Sequence, residues 1–252
     1  MNTSPLDIIV PRLSDGHTVT ALFTEANTAY HSEKSIAGLN VGLNTHESKD
    51  VVLENRRVLL DHLGSDLDHA VFAHQVHGAR IEEVYEPGTV SETDGLITRQ
   101  QDLTLAILVA DCAAVLLSDP VHGVIGAFHA GWRGAVAGII PNGVHHMHTL
   151  GAEPATMKAF VSPCISQQHF EVGEEVAGQF PDVFVNRSAY PKPHVDLSGF
   201  VVYQLQKAGI SSSHIEVNDR CTFGDSKLYS YRRQGTKSGR MAALIKLNTV
   251  EG

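Results

Sequence analysis

Leu103-Thr104-Leu105-Ala106-Ile107-Leu108-Val109-Ala110-Asp111-Cys112-Ala113-Ala114-Val115-Leu116-Leu117-Ser118 is the most apolar part of the chain, and an acid interrupts it. Leu103 to Val109 and Val115 to Ser118 are too short for helices and rich in branched residues, so they read as two buried strands. Asp111 is costly in such a run unless its carboxylate is hydrogen-bonded. The break at Ala110-Asp111-Cys112 therefore marks a sheet end, where sites form. Asp119-Pro120 turns the chain, and Val124 to Phe128 is a further strand that leads to His129 and Ala130-Gly131-Trp132-Arg133-Gly134.

Outward from this centre, Val19 to Phe23, Ala70 to Gln75, Ala79 to Tyr85, Lys158 to Val161, Ile215 to Val217 and Met241 to Leu247 read as strands. A helix capped by Asp50 is expected to run to Leu63 and stop before Gly64, with Val51, Val52, Val58, Leu59 and Leu63 on its apolar face. Others are expected at Trp132 to Leu150, kinked or split by Pro141, at Glu171 to Phe180 and at Leu197 to Ala208. Strands and helices mix without βαβ alternation, which gives an α+β architecture. No linker rich in Pro, Gly and Ser divides the chain.

With 42% hydrophobic and 19% charged residues, the chain has the composition of a protein with a full core. Its net charge of -9 removes the electrostatic case for nucleic acid or an anionic membrane. The longest apolar stretch, Leu103 to Leu117, is too short to span a bilayer. Met1 to Pro5 carries no basic region followed by an apolar core, so the expected compartment is the cytoplasm, with reduced thiols.

Three residues at the edges of apolar segments can converge: His77 in His74-Gln75-Val76-His77-Gly78, Cys112, and His129. One thiolate and two imidazoles suit a metal with an open fourth position. The same residues suit a cysteine nucleophile with a histidine base. Of the two upstream histidines, three apart on strand and turn, only one should face the site, and Gly78 favours His77. Arg133, at the glycine-rich turn into a helix, adds a donor for phosphate or carboxylate, as would the turn's N–H groups. Tyr229 to Arg240 carries four cations in an acidic chain and reads either as a solvated surface turn or as an anion-binding loop. His145, His146 and His148 lack an acid or thiol partner and read as a solvated helix face. Cys164 and Cys221 read as structural thiols.

Seven segments in order resemble the YfiH-type laccase-domain family, known also as multicopper polyphenol oxidoreductase-like proteins or peptidoglycan editing factors. They are Asn55-Arg56-Arg57; Gln75 to Gly78; Ala110 to Cys112 with Val115-Leu116-Leu117 and Asp119-Pro120; His129 to Gly134; Phe170-Glu171-Val172-Gly173; Cys221-Thr222; and Ser230 to Arg233 with Gly239-Arg240-Met241-Ala242. The resemblance implies a single domain over 1–252, with mixed β-sheets layered between helices in an α/β/β/α order. It implies zinc, with copper as the alternative, held by His77, Cys112 and His129. The activity implied is phosphorolysis of adenosine, inosine, guanosine and methylthioadenosine, with adenosine deamination beside it. Partners are then a nucleoside and phosphate, and the expected state is a monomer. Arg56, Arg232 and Arg233 are the arginines expected at phosphate, and Asp111 is expected to move a proton or support a histidine. A Cys-His amidase that edits peptidoglycan precursors, a copper-dependent polyphenol oxidase and a non-catalytic metal-binding module are the rival readings. The family's Thr-Arg-x-Gly-Gly pattern is absent here, since Thr24 is followed by Glu25-Ala26-Asn27.

Overall fold

The computed structural model describes residues 6–30 and 34–249. Met1 to Pro5, read above for a leader, lies outside them. In chain order the elements are β1 (Ile8–Ile9), β2 (Val19–Thr24), α1 (Lys49–Leu63), β3 (Ala70–Ala73), β4 (Ile81–Glu83), β5 (Gly88–Val90), β6 (Gly95–Thr98), β7 (Thr104–Val109), β8 (Ala113–Asp119) and β9 (Val124–Ala130). They continue with α2 (Trp132–Val136), α3 (Ile139–Thr149), β10 (Lys158–Val161), α4 (Glu174–Ala177), β11 (Val185–Asn186), β12 (His194–Val195), α5 (Leu197–Lys207), β13 (Ile215–Val217), α6 (Tyr231–Gln234) and β14 (Met241–Leu247).

Two six-stranded mixed sheets result, ordered β1-β2-β14-β7-β3-β5 and β13-β10-β8-β9-β6-β4. The apolar run from Leu103 to Ser118 crosses between them. β7 belongs to the first sheet and β8 to the second, so Ala110-Asp111-Cys112 carries the chain from one layer to the other. Asp111 makes the corner with φ +89, a conformation uncommon for a side chain with a Cβ. Its carboxylate accepts from the Thr222 hydroxyl and the Arg232 N–H, both at 2.6 Å, which meets the cost of placing an acid there.

The inner faces of the sheets pack Val19, Phe23, Leu105 and Ile107 against Leu96, Leu116, Ile125 and Phe160. On the far side of the first sheet, α1 buries Leu59, Leu60 and Leu63 against Leu22, Phe72 and Leu244. On the far side of the second, α3 and α5 bury Ile140, Val144, Met147, Val201 and Leu205 against Val115, Leu117, Phe128 and Val161. The order is helix, sheet, sheet, helix, and β8, β9 and β14 are buried along their whole lengths. Such doubly covered strands read as continuous apolar runs rather than alternating ones.

Four element expectations change. Ser48, not Asp50, caps α1 by accepting from Val51 N; Asp50 sits in the first turn, where its charge suits the helix dipole. The helix expected at Trp132 to Leu150 is two helices, broken at Gly138 with φ +84. Pro141 does not make that break. It lies in the first turn of α3, where a missing N–H costs nothing. The helix expected at Glu171 to Phe180 shrinks to α4, because Glu171 bridges His194 and Val172 N donates to Pro193 O. Ala79 to Tyr85 is extended over three residues only, in β4.

Candidate metal centre

His77, Cys112 and His129 come together, with one ligand atom from each within 4.8 Å of the others. Three elements deliver them. His129 comes from β9, Cys112 from the crossover before β8, and His77 from the turn after β3, where its φ of +61 swings the ring inward. The two imidazoles meet edge to face, with centroids 4.8 Å apart. His129 is buried, Cys112 half-buried and His77 exposed, so the trio opens on one side. Gly131 sits among all three: a Cβ there would lie 3.0 Å from Cys112 Sγ, 3.2 Å from His77 Cδ2 and 3.4 Å from His129 Cε1. Only a residue without a side chain leaves that space clear.

Asp94 organises the trio and was missed in the sequence, where Asp94-Gly95 reads as a turn. It is fully buried. Its Oδ1 lies 2.6 Å from His129 Nδ1 and accepts from His77 N at 3.0 Å. Its Oδ2 accepts from Gly78 N at 2.7 Å and Val76 N at 3.2 Å. One carboxylate thus fixes the His129 ring and the turn that carries His77. With Nδ1 engaged, His129 presents Nε2 to the site. Burial opposes ionisation of Asp94, but the His129 hydrogen bond and the backbone N–H groups outweigh it and hold the carboxyl below its usual range. A signal was present: an acid immediately before a strand of four buried residues needs several donors.

Burial alone would raise the Cys112 thiol. The charge of His129 and hydrogen bonds from His129 and His77 outweigh it and bring the thiol down to about 6. For His129 burial works downward, and the Cys112 thiolate with Asp94 carries it up to about 9. Without a metal the pair is thiolate and imidazolium at neutral pH. A soft thiolate and two borderline imidazoles, one oriented by a carboxylate, fit zinc or a single copper. Among the described residues this is the one cluster of three or more such side chains.

The trio lies in a cleft of about 670 Å³, a volume in the range of small-molecule sites. Arg56, Arg133, Arg232 and Arg240 line it, with Asp111 as its acid. Arg56 is buried, and among the described residues no carboxylate pairs with it; Nε donates to Val41 O, and its guanidinium stacks on Phe72 at 3.8 Å. Burial lowers its pKa to about 10, still a cation at neutral pH. Arg133 is exposed and lies over Trp132. Arg232 donates to His169 O and Glu171 O. Arg240, quoted above only within a motif, faces the cleft while Nη1 holds the carbonyls of Ser238 and Gly239.

Arg233 is a correction. It does not line the cleft. Its guanidinium donates to the carbonyls of Thr222, Phe223, Asp225 and Leu228, so it ties a loop together rather than facing an anion. Of the two roles expected of Asp111, support of a histidine is not formed: its hydrogen bonds go to Thr222 and Arg232. α2 is five residues long, which leaves little macrodipole behind the Gly131 turn. His74 also lines the cleft but lies outside the trio. His145, His146 and His148 sit on α3, with His148 Nδ1 bonded to Ala152 O.

Among the described residues no helix is long and apolar enough to cross a membrane. The purine nucleoside phosphorylase of Deinococcus radiodurans is 39% identical over 222 residues, covering 86% of each chain. Purine nucleoside phosphorylase ORF3 of Streptomyces griseus is 37% identical, covering 83% of this chain and 87% of its own. The crystal structure of the Bacillus licheniformis hypothetical protein YfiH superposes with a TM-score of 0.85 at 30% identity, over 94% of this chain and 98% of that one. The family described as multi-copper polyphenol oxidoreductase laccase matches residues 20–248, and the chain belongs to it.

Proposed function

We propose that this protein is a zinc-dependent purine nucleoside phosphorylase acting on adenosine, inosine, guanosine and methylthioadenosine, with adenosine deamination as a side activity, and that residues 1–252 form its single catalytic domain. The observation that carries the reading is the convergence of His77, Cys112 and His129 in a cleft whose walls hold four arginines, in a chain of net charge -9. The names of the two curated relatives support it. The protein works as a soluble cytoplasmic monomer with small-molecule partners.

His77, Cys112 and His129 would hold the zinc. Bound there, zinc supplies Lewis acidity and brings the pKa of water to about 7, which suits deamination of adenine at C6. Phosphorolysis transfers the ribosyl C1 from the purine nitrogen to a phosphate oxygen, giving free purine and ribose 1-phosphate. That reaction needs a dianion held against C1 and little acid-base work on the phosphate. Arg56 and Arg232, with Arg133 and Arg240, supply the positive charge. Arg56 is the best placed to act strongly, because it is desolvated and pinned by Phe72 and Val41 O. Asp94 keeps His129 in one tautomer and keeps the His77 turn closed on the site.

Product analysis tests the reading. Inosine with phosphate should give hypoxanthine and ribose 1-phosphate in equal amounts, and omission of phosphate should stop cleavage. Free ribose at an undiminished rate would mean a hydrolase instead. One observation favours a second reading: without metal, Cys112, His129 and Asp94 are a nucleophile, base and orienting acid, the parts of a Cys-His amidase. Activity that survives complete chelation would support it.

A further inference from the structure

A second sulfur site lies outside the cleft lining. Cys221 Sγ is 3.1 Å from Ser166 Oγ and 3.3 Å from Ser166 N, both donors, and 3.4 Å from His169 Nδ1. Ser166 Oγ and His169 Nδ1 are themselves 3.2 Å apart. The His169 ring is held by stacking on Phe223 at 4.7 Å. Two side chains from one loop, Ser166 and His169, thus converge on the half-buried Cys221 sulfur of another, and none of the three residues lines the cleft. Cys164 pairs with Cys221 across a β-bridge but is buried, and burial pushes its thiol up. Neighbouring cysteines have opposite surroundings, one made for the thiolate and one for the neutral thiol.

We propose that Cys221 is a modification site, a nucleophilic sulfur assembled by Ser166 and His169 that is oxidised by hydroperoxides. Donors that stabilise a thiolate, with partial exposure, are the properties of a peroxide-sensitive cysteine. The sulfur attacks one peroxide oxygen; the S–O bond forms as the O–O bond breaks. The departing hydroxide or alkoxide takes a proton from the His169 ring or from solvent. Sulfur is oxidised to sulfenic acid, and the peroxide is reduced to water or an alcohol. Burial works against ionisation of Cys221, but the Ser166 donors and backbone N–H groups of Gly224 and Phe223 more than offset it.

The position gives the modification a route to the cleft. His169 O accepts from Arg232 Nη1 at 3.3 Å, and Thr222, next to Cys221, donates to Asp111, which accepts from Arg232 N. An oxygen added at Sγ enters the two loops that hold Arg232. The inference does not depend on which reaction the cleft performs.

The test is site-resolved labelling of the metal-loaded protein at pH 6 with hydrogen peroxide and dimedone, each cysteine peptide being read by mass spectrometry. N-acetylcysteine in the same tube is the reference thiol. Cys221 should be trapped about tenfold faster than N-acetylcysteine, and Cys164 should stay unlabelled. Ser166→Ala and His169→Gln should each slow trapping at Cys221 about tenfold, the loss of one hydrogen bond to a charged group. Trapping at Cys221 no faster than at N-acetylcysteine would overturn the proposal. So would wild-type rates in both variants, which would leave exposure as the sole cause.

Discussion

Asp94 Oδ1 stands 2.6 Å from His129 Nδ1, and the same carboxylate receives the backbone N–H groups of Val76, His77 and Gly78. One buried side chain thus couples two metal-capable histidines that are 52 residues apart in sequence. The coupling runs through backbone as well as side chain. Losing it would loosen both histidines together.

Asp94→Asn keeps the shape but leaves an amide where His129 Nδ1 and three N–H groups expect an anion. Zinc affinity, measured by competition with a chromophoric chelator, should fall about 10- to 100-fold, as is usual for a lost carboxylate behind a ligating histidine. Unchanged affinity would remove Asp94 from the site.

Gly131→Ala puts a methyl group within 3.4 Å of all three candidate ligands. The backbone there has an ordinary φ of -69, so the substitution is unstrained and the fold should survive. Metal content per chain should drop below a tenth of wild type while far-UV circular dichroism is unchanged. Full metal content in a folded variant would mean that the ion lies elsewhere.

The metal-free protein should show a thiolate at Cys112 down to about pH 6. The shift is downward, so the charged form persists as pH falls and is lost only below that value. Alkylation of the Cys112 peptide by iodoacetamide should be flat above pH 7 and fall about tenfold per unit below pH 6; an ordinary thiol is still gaining rate at pH 8. Zinc should protect Cys112 throughout. A profile that climbs through pH 8 would contradict the thiolate–imidazolium pair.

Arg232 and Arg233 are adjacent but do different things. Arg232→Ala should raise the KM for phosphate more than that for nucleoside, with little change in melting temperature. Arg233→Ala should leave phosphate KM alone and cost about 2 kcal/mol of stability, since its guanidinium holds four carbonyls. Denaturant titration beside steady-state kinetics separates the two.

The sequence made the centre of the fold legible because its buried strands are continuous apolar runs. The acid at Asp111 marked the crossover between sheets, and the trio followed from cysteine and histidine at strand edges. Asp94 was hidden because Asp-Gly ahead of an apolar run has a turn's pattern, and its hydrogen-bond partners lie 16 to 18 residues upstream and 35 residues downstream. Arg233 was misplaced for a similar reason: arginine in a basic segment looks the same whether it faces an anion or four carbonyls. Gly138 and Pro141 both interrupt a helical pattern, and only the backbone φ tells which one breaks it.

Zinc K-edge X-ray absorption of the freshly purified protein reads directly the shell of a metal centre built from one sulfur and two imidazoles. The expected spectrum is that of one zinc per chain, with one sulfur at about 2.3 Å and two imidazole nitrogens at about 2.0–2.1 Å. A shell without sulfur, or protein that carries no zinc and takes none up, would contradict it.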